Sequence, residues 1–244
     1  MKNRLKNQRT NVQTTSLTMT SPSRGDGKVR IVGGRWKRSL LEVNRVEGLR
    51  PTPERVRETV FDWLTHLWGD FTQKKVCDLF AGSGAMGFEA ASRGAAQVCW
   101  VDINKGNIEA IKKSAQRLGV TSEDGYEALL SDAFAFLGAT SVSWDLLIVD
   151  PPFAKDWQEK VLEAARSVIA PEGLIYVERP EGFTAEAVLE NLGLVAIRQT
   201  QAGVVCSELL ARAGSQMAQA VKVKKKKLSK VEKAMAKKLG QVNS

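Results

Sequence analysis

Four acids stand at the ends of apolar runs in the middle of this sequence: Asp78 in VCDLF, Asp102 in VCWVD, Asp132 in YEALLSD and Asp150 in WDLLIVD. The first run leads into AGSGAMG, where Gly82, Gly84 and Gly87 form G-x-G-x-x-G. Such a loop is informative only between a strand and a helix, and the flanking VCDLF and FEAASRG supply both. Glycines there permit a tight turn and bring backbone close to a ligand. Asp102, fifteen residues beyond Gly87, can accept both hydroxyls of a ribose. Asp78 lies four residues before Gly82. An acid in that place repels a diphosphate and suits a cation.

S-adenosylmethionine carries a sulfonium, an ammonium and no phosphate, so charge favours it over NAD as the occupant. Phe80, Ala81, Ser83 and Ile103 adjoin these groups in sequence and complete the expected cofactor contacts. Asp132 could accept an adenine amino proton while the Ala133 backbone reaches the ring. The local sequence supports a helix N-cap by Asp132 equally well. Asp150-Pro151-Pro152-Phe153 ends its run differently. Two consecutive prolines stop a strand and fix the backbone. The stop falls at the carboxyl end of a strand, where open α/β sheets bind ligands. Asp150 and Phe153 are therefore candidates to face one, against the simpler reading of a strand terminator and a core Phe.

The elements that must position these groups alternate. After the first strand come FEAASRG as helix, VCWVD as strand, NIEAIKKSAQRLG as amphipathic helix, and YEALLSD and WDLLIVD as strands. WQEKVLEAARSVI reads as helix, GLIYVE as a fifth strand ending at Glu178, and AEAVLENLG as helix. VAIRQT and GVVCSELLA close the domain as strands, plausible as a hairpin. The expected fold is α/β and Rossmann-like: a seven-stranded, mostly parallel sheet with an antiparallel last strand and helices on both faces. Ahead of it, KVRIVGGRWKRSLLEV reads as two short strands around a Gly-Gly turn. LRPTPERVRETVFDWLTHLW reads as a helix capped by Thr52, with Pro53 first and Val56, Val60, Phe61 and Leu64 as its apolar stripe.

Charge divides the 244 residues further. Residues 1–30 carry a net +6 and residues 215–244 a net +8, which leaves −5 between them out of a total of +9. Two cationic arms on a mildly acidic body suggest a polyanion such as nucleic acid, with solvated tails as the plain alternative. The expected divisions are a disordered basic arm (1–27), an N-terminal RNA-binding hairpin and helix (28–70), the catalytic domain (71–213) and a Lys-rich tail (214–244). Three dispersed cysteines and the lone His66 offer no metal spacing and no histidine triad. No apolar run is long enough for a membrane span, and the N-terminus lacks a secretory pattern. A cytoplasmic monomer is expected.

DLFAGSGAMG, VD, SDA and DPPF, in that order, resemble class I S-adenosylmethionine-dependent methyltransferases. DPPF is similar to the motif of enzymes that methylate exocyclic amines of nucleobases or glutamine amides. With RIVGGRWKR and LRPTPERVRETVFDWL added, residues 28–212 resemble the bacterial 16S ribosomal RNA guanine-N2 methyltransferases of the RsmD type. The resemblance implies S-adenosyl-L-methionine as donor and 16S rRNA as substrate, with partly assembled 30S particles as a candidate form. It gives DPPF a chemistry: the guanine amine is a poor nucleophile because its lone pair is conjugated with the ring. Asp150 and the Pro151 carbonyl can accept its two hydrogens, Pro152 stiffens them, and Phe153 can stack on a base splayed out of folded RNA. Arg35, Trp36, Lys37 and Arg38 combine charge with an aromatic ring for RNA. Arg50, Thr52 and Arg55 are implied to lie near the active site. From the residues themselves, Arg50, Arg55 and Arg57 continue the basic patch, and Glu178, at the end of the fifth strand, is a candidate for the substrate side. For each arginine, a solvated face or an ion pair is the competing expectation. Two further alternatives stand: the same chemistry on adenine N6 or protein glutamine, and a non-catalytic RNA-binding module.

Overall fold

The computed structural model describes residues 27–43, 52–151, 158–179 and 182–220. Residues 1–26 and 221–244, which hold most of the two charged arms, and Arg50, Pro152 and Phe153 lie outside the described residues.

Alternation of apolar residues with period two builds a sheet that is buried on both faces. Seven strands, β3 (Lys75–Asp78), β4 (Gln97–Asp102), β5 (Tyr126–Leu130), β6 (Trp144–Val149), β7 (Ile169–Arg179), β8 (Leu194–Ala202) and β9 (Val205–Arg212), pair in the order β5-β4-β3-β6-β7-β9-β8. The pairs among β3 to β7 are parallel, and β9 runs antiparallel to both neighbours. Strand order reverses between β3 and β6, which makes the crevice above their carboxyl ends the expected ligand site.

Each face has its own core. Val76, Val98, Trp100, Leu146, Ile148, Leu174, Tyr176 and Leu209 point to one side. There they meet α1 (Glu54–Trp68), α2 (Ala85–Ser92) and α3 (Lys105–Arg117). Cys77, Cys99, Val101, Leu147, Ile175, Val177 and Leu210 point to the other, against α4 (Ala133–Ala139), α5 (Gln158–Val168) and α6 (Glu186–Asn191). The N-terminal hairpin, β1 (Lys28–Arg30) with β2 (Leu40–Glu42), packs Val29, Ile31 and Leu41 into the first core.

One expectation is corrected: Thr52 does not cap α1, since Pro53 occupies the cap position and no side chain bonds the helix end. The segment AFAFLGA, assigned no element beyond the alternative of a cap at Asp132, is helix α4. The expected stripe of Val56, Val60, Phe61 and Leu64 is buried as read.

Candidate active site

Side chains two apart share a face of a strand, so Asp78 follows Val76, Asp102 follows Trp100, Asp150 follows Ile148 and Glu178 follows Tyr176 onto the first face. Register aligns them: Asp78 pairs with Trp100 and Ile148, and Val149 with Val177. Four acids therefore line the carboxyl ends of β4, β3, β6 and β7 in one row. Burial raises the Asp78 carboxyl to about 7, against the restraining amide of Gly87, and the charge of Asp102 adds to the rise. Burial pushes Asp150 well above the usual carboxylate range, and the charges of Glu178 and Asp78 push it further. Glu178 is raised by burial and held back by hydrogen bonds from Tyr176 and Thr52 and by the charge of Arg57. A crowded acidic row is a poor host for a phosphate and a good one for a cation.

The glycine loop sits over Asp78. Gly82 and Gly84 adopt positive φ, +52° and +73°. Gly87 donates its amide to Asp78 Oδ2 at 3.0 Å. A Cβ on Gly87 would lie 2.2 Å from the indole nitrogen of Trp100, which itself donates to the Gly84 carbonyl at 3.0 Å. The third glycine thus serves close helix–strand packing rather than ligand approach. Ala81 and Ser83 are buried in the loop and Phe80 is half-buried.

Asp102 ties this loop to α3. Its Oδ2 accepts from Gly82 N at 2.7 Å and Asn107 Nδ2 at 3.1 Å, and its Oδ1 from Asn104 N at 2.7 Å. A carboxylate has roughly four acceptor positions. One is left, so a ribose would have to share or exchange a bond for its second hydroxyl. Asp132 does cap α4: its Oδ1 accepts from Phe134 N at 2.9 Å and Ala135 N at 3.1 Å, with Ala133 buried beside it. Ile103 is 74% exposed and Leu130 55% exposed at this same edge, an open apolar flank suited to a flat ring.

The N-terminal block divides in two. Arg57 is buried, not part of a basic surface: its guanidinium donates to the Thr52 carbonyl at 2.5 Å and the Arg30 carbonyl at 2.6 Å, and its Nε lies 3.7 Å from Glu89. Glu89, fully buried on α2, also accepts from Val32 N at 2.6 Å and from Arg93. Thr52 is buried and its side chain bonds Glu178, which places the start of α1 at the acidic row. Arg55 is exposed in the first turn of α1. The turn holding Arg35, Trp36, Lys37 and Arg38 is elsewhere. Arg35 N and Trp36 N bond Ser92, the last residue of α2, at 2.7 and 3.0 Å. Helix α2 runs from the glycine loop back toward the amino ends of the strands, and Ser92 lies five residues, about 7.5 Å of rise, beyond the Gly87 that bonds Asp78, so these cations stand off the row. Arg35, Lys37 and Arg38 are exposed there, with the Arg35 guanidinium 4.1 Å from the Trp36 ring.

Asp150 and Pro151 are described, Asp150 keeping part of its surface open and Pro151 buried. Sequence reasoning gave no part to Glu89 and Tyr176. A single acid inside the apolar helix AMGFEAAS was a signal, because a buried charge demands partners. Tyr176, whose hydroxyl donates to Glu178 at 2.5 Å, carried none.

The family profile described as "Conserved hypothetical protein 95" matches residues 29–211. A protein of Haemophilus influenzae named "Ribosomal RNA small subunit methyltransferase D" is 37% identical over 156 residues, which cover 62% of this chain and 79% of that protein. The solved "Putative methyltransferase yhhF from Escherichia coli" superposes with a TM-score of 0.65 at 33% identity, over 76% of this chain and 98% of that one. SMU.776, "a putative methyltransferase complexed with SAH", shares the fold alone, with a TM-score of 0.56 at 14% identity over 70% of this chain and 52% of that one. A methyltransferase sheet with its glycine loop, acidic row and N-terminal hairpin, matched along most of its length, places the chain in the ribosomal RNA small subunit methyltransferase D family.

Proposed function

We propose that the protein transfers a methyl group from S-adenosyl-L-methionine to the exocyclic N2 amine of a guanine in 16S rRNA, within the small subunit or its assembly intermediates. The observation that carries this reading is the row Asp102-Asp78-Asp150-Glu178 at the switch point of the sheet. Its left half adjoins the glycine loop and the apolar flank of Ile103 and Leu130, as a nucleoside with a cationic tail requires. The donor supplies an electrophilic methyl group on a sulfonium.

The chain's own residues supply position and proton traffic. Asp78, beneath the loop, is neutral or charged near pH 7 and ionises when a cation lies beside it. Asp102 accepts from the ribose, Asp132 Oδ2 is available to the adenine amine, and Ile103 packs on the ring. Asp150 accepts a hydrogen of the guanine amine, aligns its nitrogen, and takes the proton that the nitrogen sheds on methylation. Buried Pro151 follows that carboxylate in the chain, and Phe153 of the same motif would stack on the base. Arg55, with Arg50, handles nearby phosphates, while Arg35, Lys37 and Arg38 hold a more distant stretch of backbone.

The test is methyl transfer from radiolabelled S-adenosylmethionine to unmodified rRNA, offered naked and in 30S particles, with nucleoside digestion of the product. Label in N2-methylguanosine supports the reading. Label in adenosine, or only in protein, keeps the fold and donor and discards the target.

A further inference from the structure

Among the described residues five large apolar side chains are exposed, and four stand at the carboxyl edge of the sheet: Ile103 and Leu130 on the cofactor half, Phe183 and Val204 on the other. The function proposed above uses the first pair and leaves the second without a task. Phe183, 39% exposed, follows β7, the strand that carries Glu178. Val204, 68% exposed, tips the β8–β9 hairpin. Register brings the two loops to one rim: Arg179 pairs with Cys206 and Ala202 with Val205.

The described residues of this rim are held by side-chain bonds. Glu208, fully buried on the second face, accepts from the Thr184 amide at 2.7 Å, the Thr184 hydroxyl at 2.5 Å and Gln199 Nε2 at 2.9 Å. Those bonds fix the residue that follows Phe183. Arg179 Nη1 donates to the same hydroxyl at 3.3 Å, which holds its guanidinium at the residue after Phe183. Gly203 has φ +63° and Gln201 Nε2 donates to its carbonyl at 3.1 Å, a two-residue turn of the kind that usually places a polar residue or glycine where Val204 stands. An exposed valine there gives the turn nothing.

We propose that Phe183, with Val204 and Arg179 at its sides, is a stacking platform for an unpaired nucleotide flanking the target guanine. This rests on the acceptor being a base splayed from RNA. Withdrawing that base exposes the faces of its neighbours, and an aromatic ring beside a guanidinium offers such a face a partner whatever its sequence. Charge agrees: among residues 179, 182–184 and 199–206 the single charge is that of Arg179, with Glu181 outside the described residues.

Steady-state methylation of naked small-subunit rRNA by the full chain tests this with Phe183→Ala, Phe183→Leu and Phe183→Trp. Stacking predicts a rise in KM for RNA of about tenfold for Ala and Leu, near wild-type behaviour for Trp, and unchanged S-adenosylmethionine affinity by calorimetry. An unchanged KM for Ala overturns the platform. So does a Leu variant as good as Trp, which would make the contact merely apolar, or a defect confined to 30S particles, which would assign the patch to a ribosomal protein. Product analysis of the wild type separates this from the target: label outside guanine N2 sinks the function and leaves the KM comparison readable.

Discussion

Asp78 Oδ2 lies 3.0 Å from the amide nitrogen of Gly87, so the acid of the first strand is bonded to the helix its own loop introduces. That one bond does not offset burial, and the carboxyl titrates near 7. A cation beneath the loop pulls the value down and expels the proton. Cofactor affinity should therefore rise with pH through about 7, with proton release visible as a dependence of the calorimetric heat on buffer ionisation enthalpy. Asp78→Asn, which still accepts from Gly87, should bind weakly and lose most of the pH dependence.

The same group acts on stability with the opposite sign. Its folded value lies above its unfolded one, so its contribution is complete below about pH 4 and fades as pH rises through about 7. Each tenfold difference in proton affinity is worth about 1.4 kcal/mol. Without cofactor, Asp78→Asn should melt above the wild type at about pH 8, and the gap should close as pH falls toward about 4.

Gly87→Ala sets helix propensity against packing. Alanine would favour α2 by about 1 kcal/mol. Its Cβ would stand 2.2 Å from the Trp100 indole, which is buried and anchored to Gly84. Overpacking a rigid site costs about 1–3 kcal/mol, so steric strain wins. The variant should melt lower and bind cofactor poorly, because moving Trp100 moves the Gly84 carbonyl. A thermal shift with and without S-adenosylhomocysteine measures both.

How much of this was visible in the sequence follows from where each contact lies along the chain. The alternation of runs carried the sheet, and Gly82, Gly84, Asp102 and Asp150 were legible because short spacing fixes their place on a strand end. Contacts between distant segments were not. Thr52 reads as a cap, yet its hydroxyl meets Glu178 on another strand. The RWKR turn reads as one basic patch with Arg50, Arg55 and Arg57, yet the hairpin runs down α2 to Ser92 and Arg57 is buried. Helix α4 was missed because seven nearly all-apolar residues show no periodicity, and its capping aspartate had two uses.

Glu89 joins α2, the hairpin and α1 through Val32, Arg57 and Arg93. Removing one partner of a buried charged group leaves the others uncompensated, at about 3–5 kcal/mol. Glu89→Ala should lower the unfolding free energy read from urea titration by that order. Glu89→Gln, which can still accept from Val32, should cost less. Trypsin should cut at Arg35–Arg38 faster in the alanine variant, since the hairpin loses its central tether. Equal cutting in both proteins would place the tether elsewhere.

Glu178 sets the working range of Asp150. Its charge is the largest electrostatic contribution, after burial, to the raised Asp150 carboxyl. Tyr176 and Thr52 hold it by hydrogen bonds, and the Arg57 charge favours its ionised form. If Asp150 accepts the amine hydrogens as a carboxylate, methyl transfer falls on the acid side as Asp150 takes up a proton. Glu178→Gln removes the facing charge and keeps an acceptor for Tyr176, so Asp150 ionises at lower pH. The acid limb of kcat/KM for RNA should then move down. Tyr176→Phe should move it less, because the charge on Glu178 survives. A limb that stays in place in Glu178→Gln would mean that the ascending rate reports another group, and Asp78→Asn, which acts on cofactor affinity, identifies whether it is the acid beneath the loop.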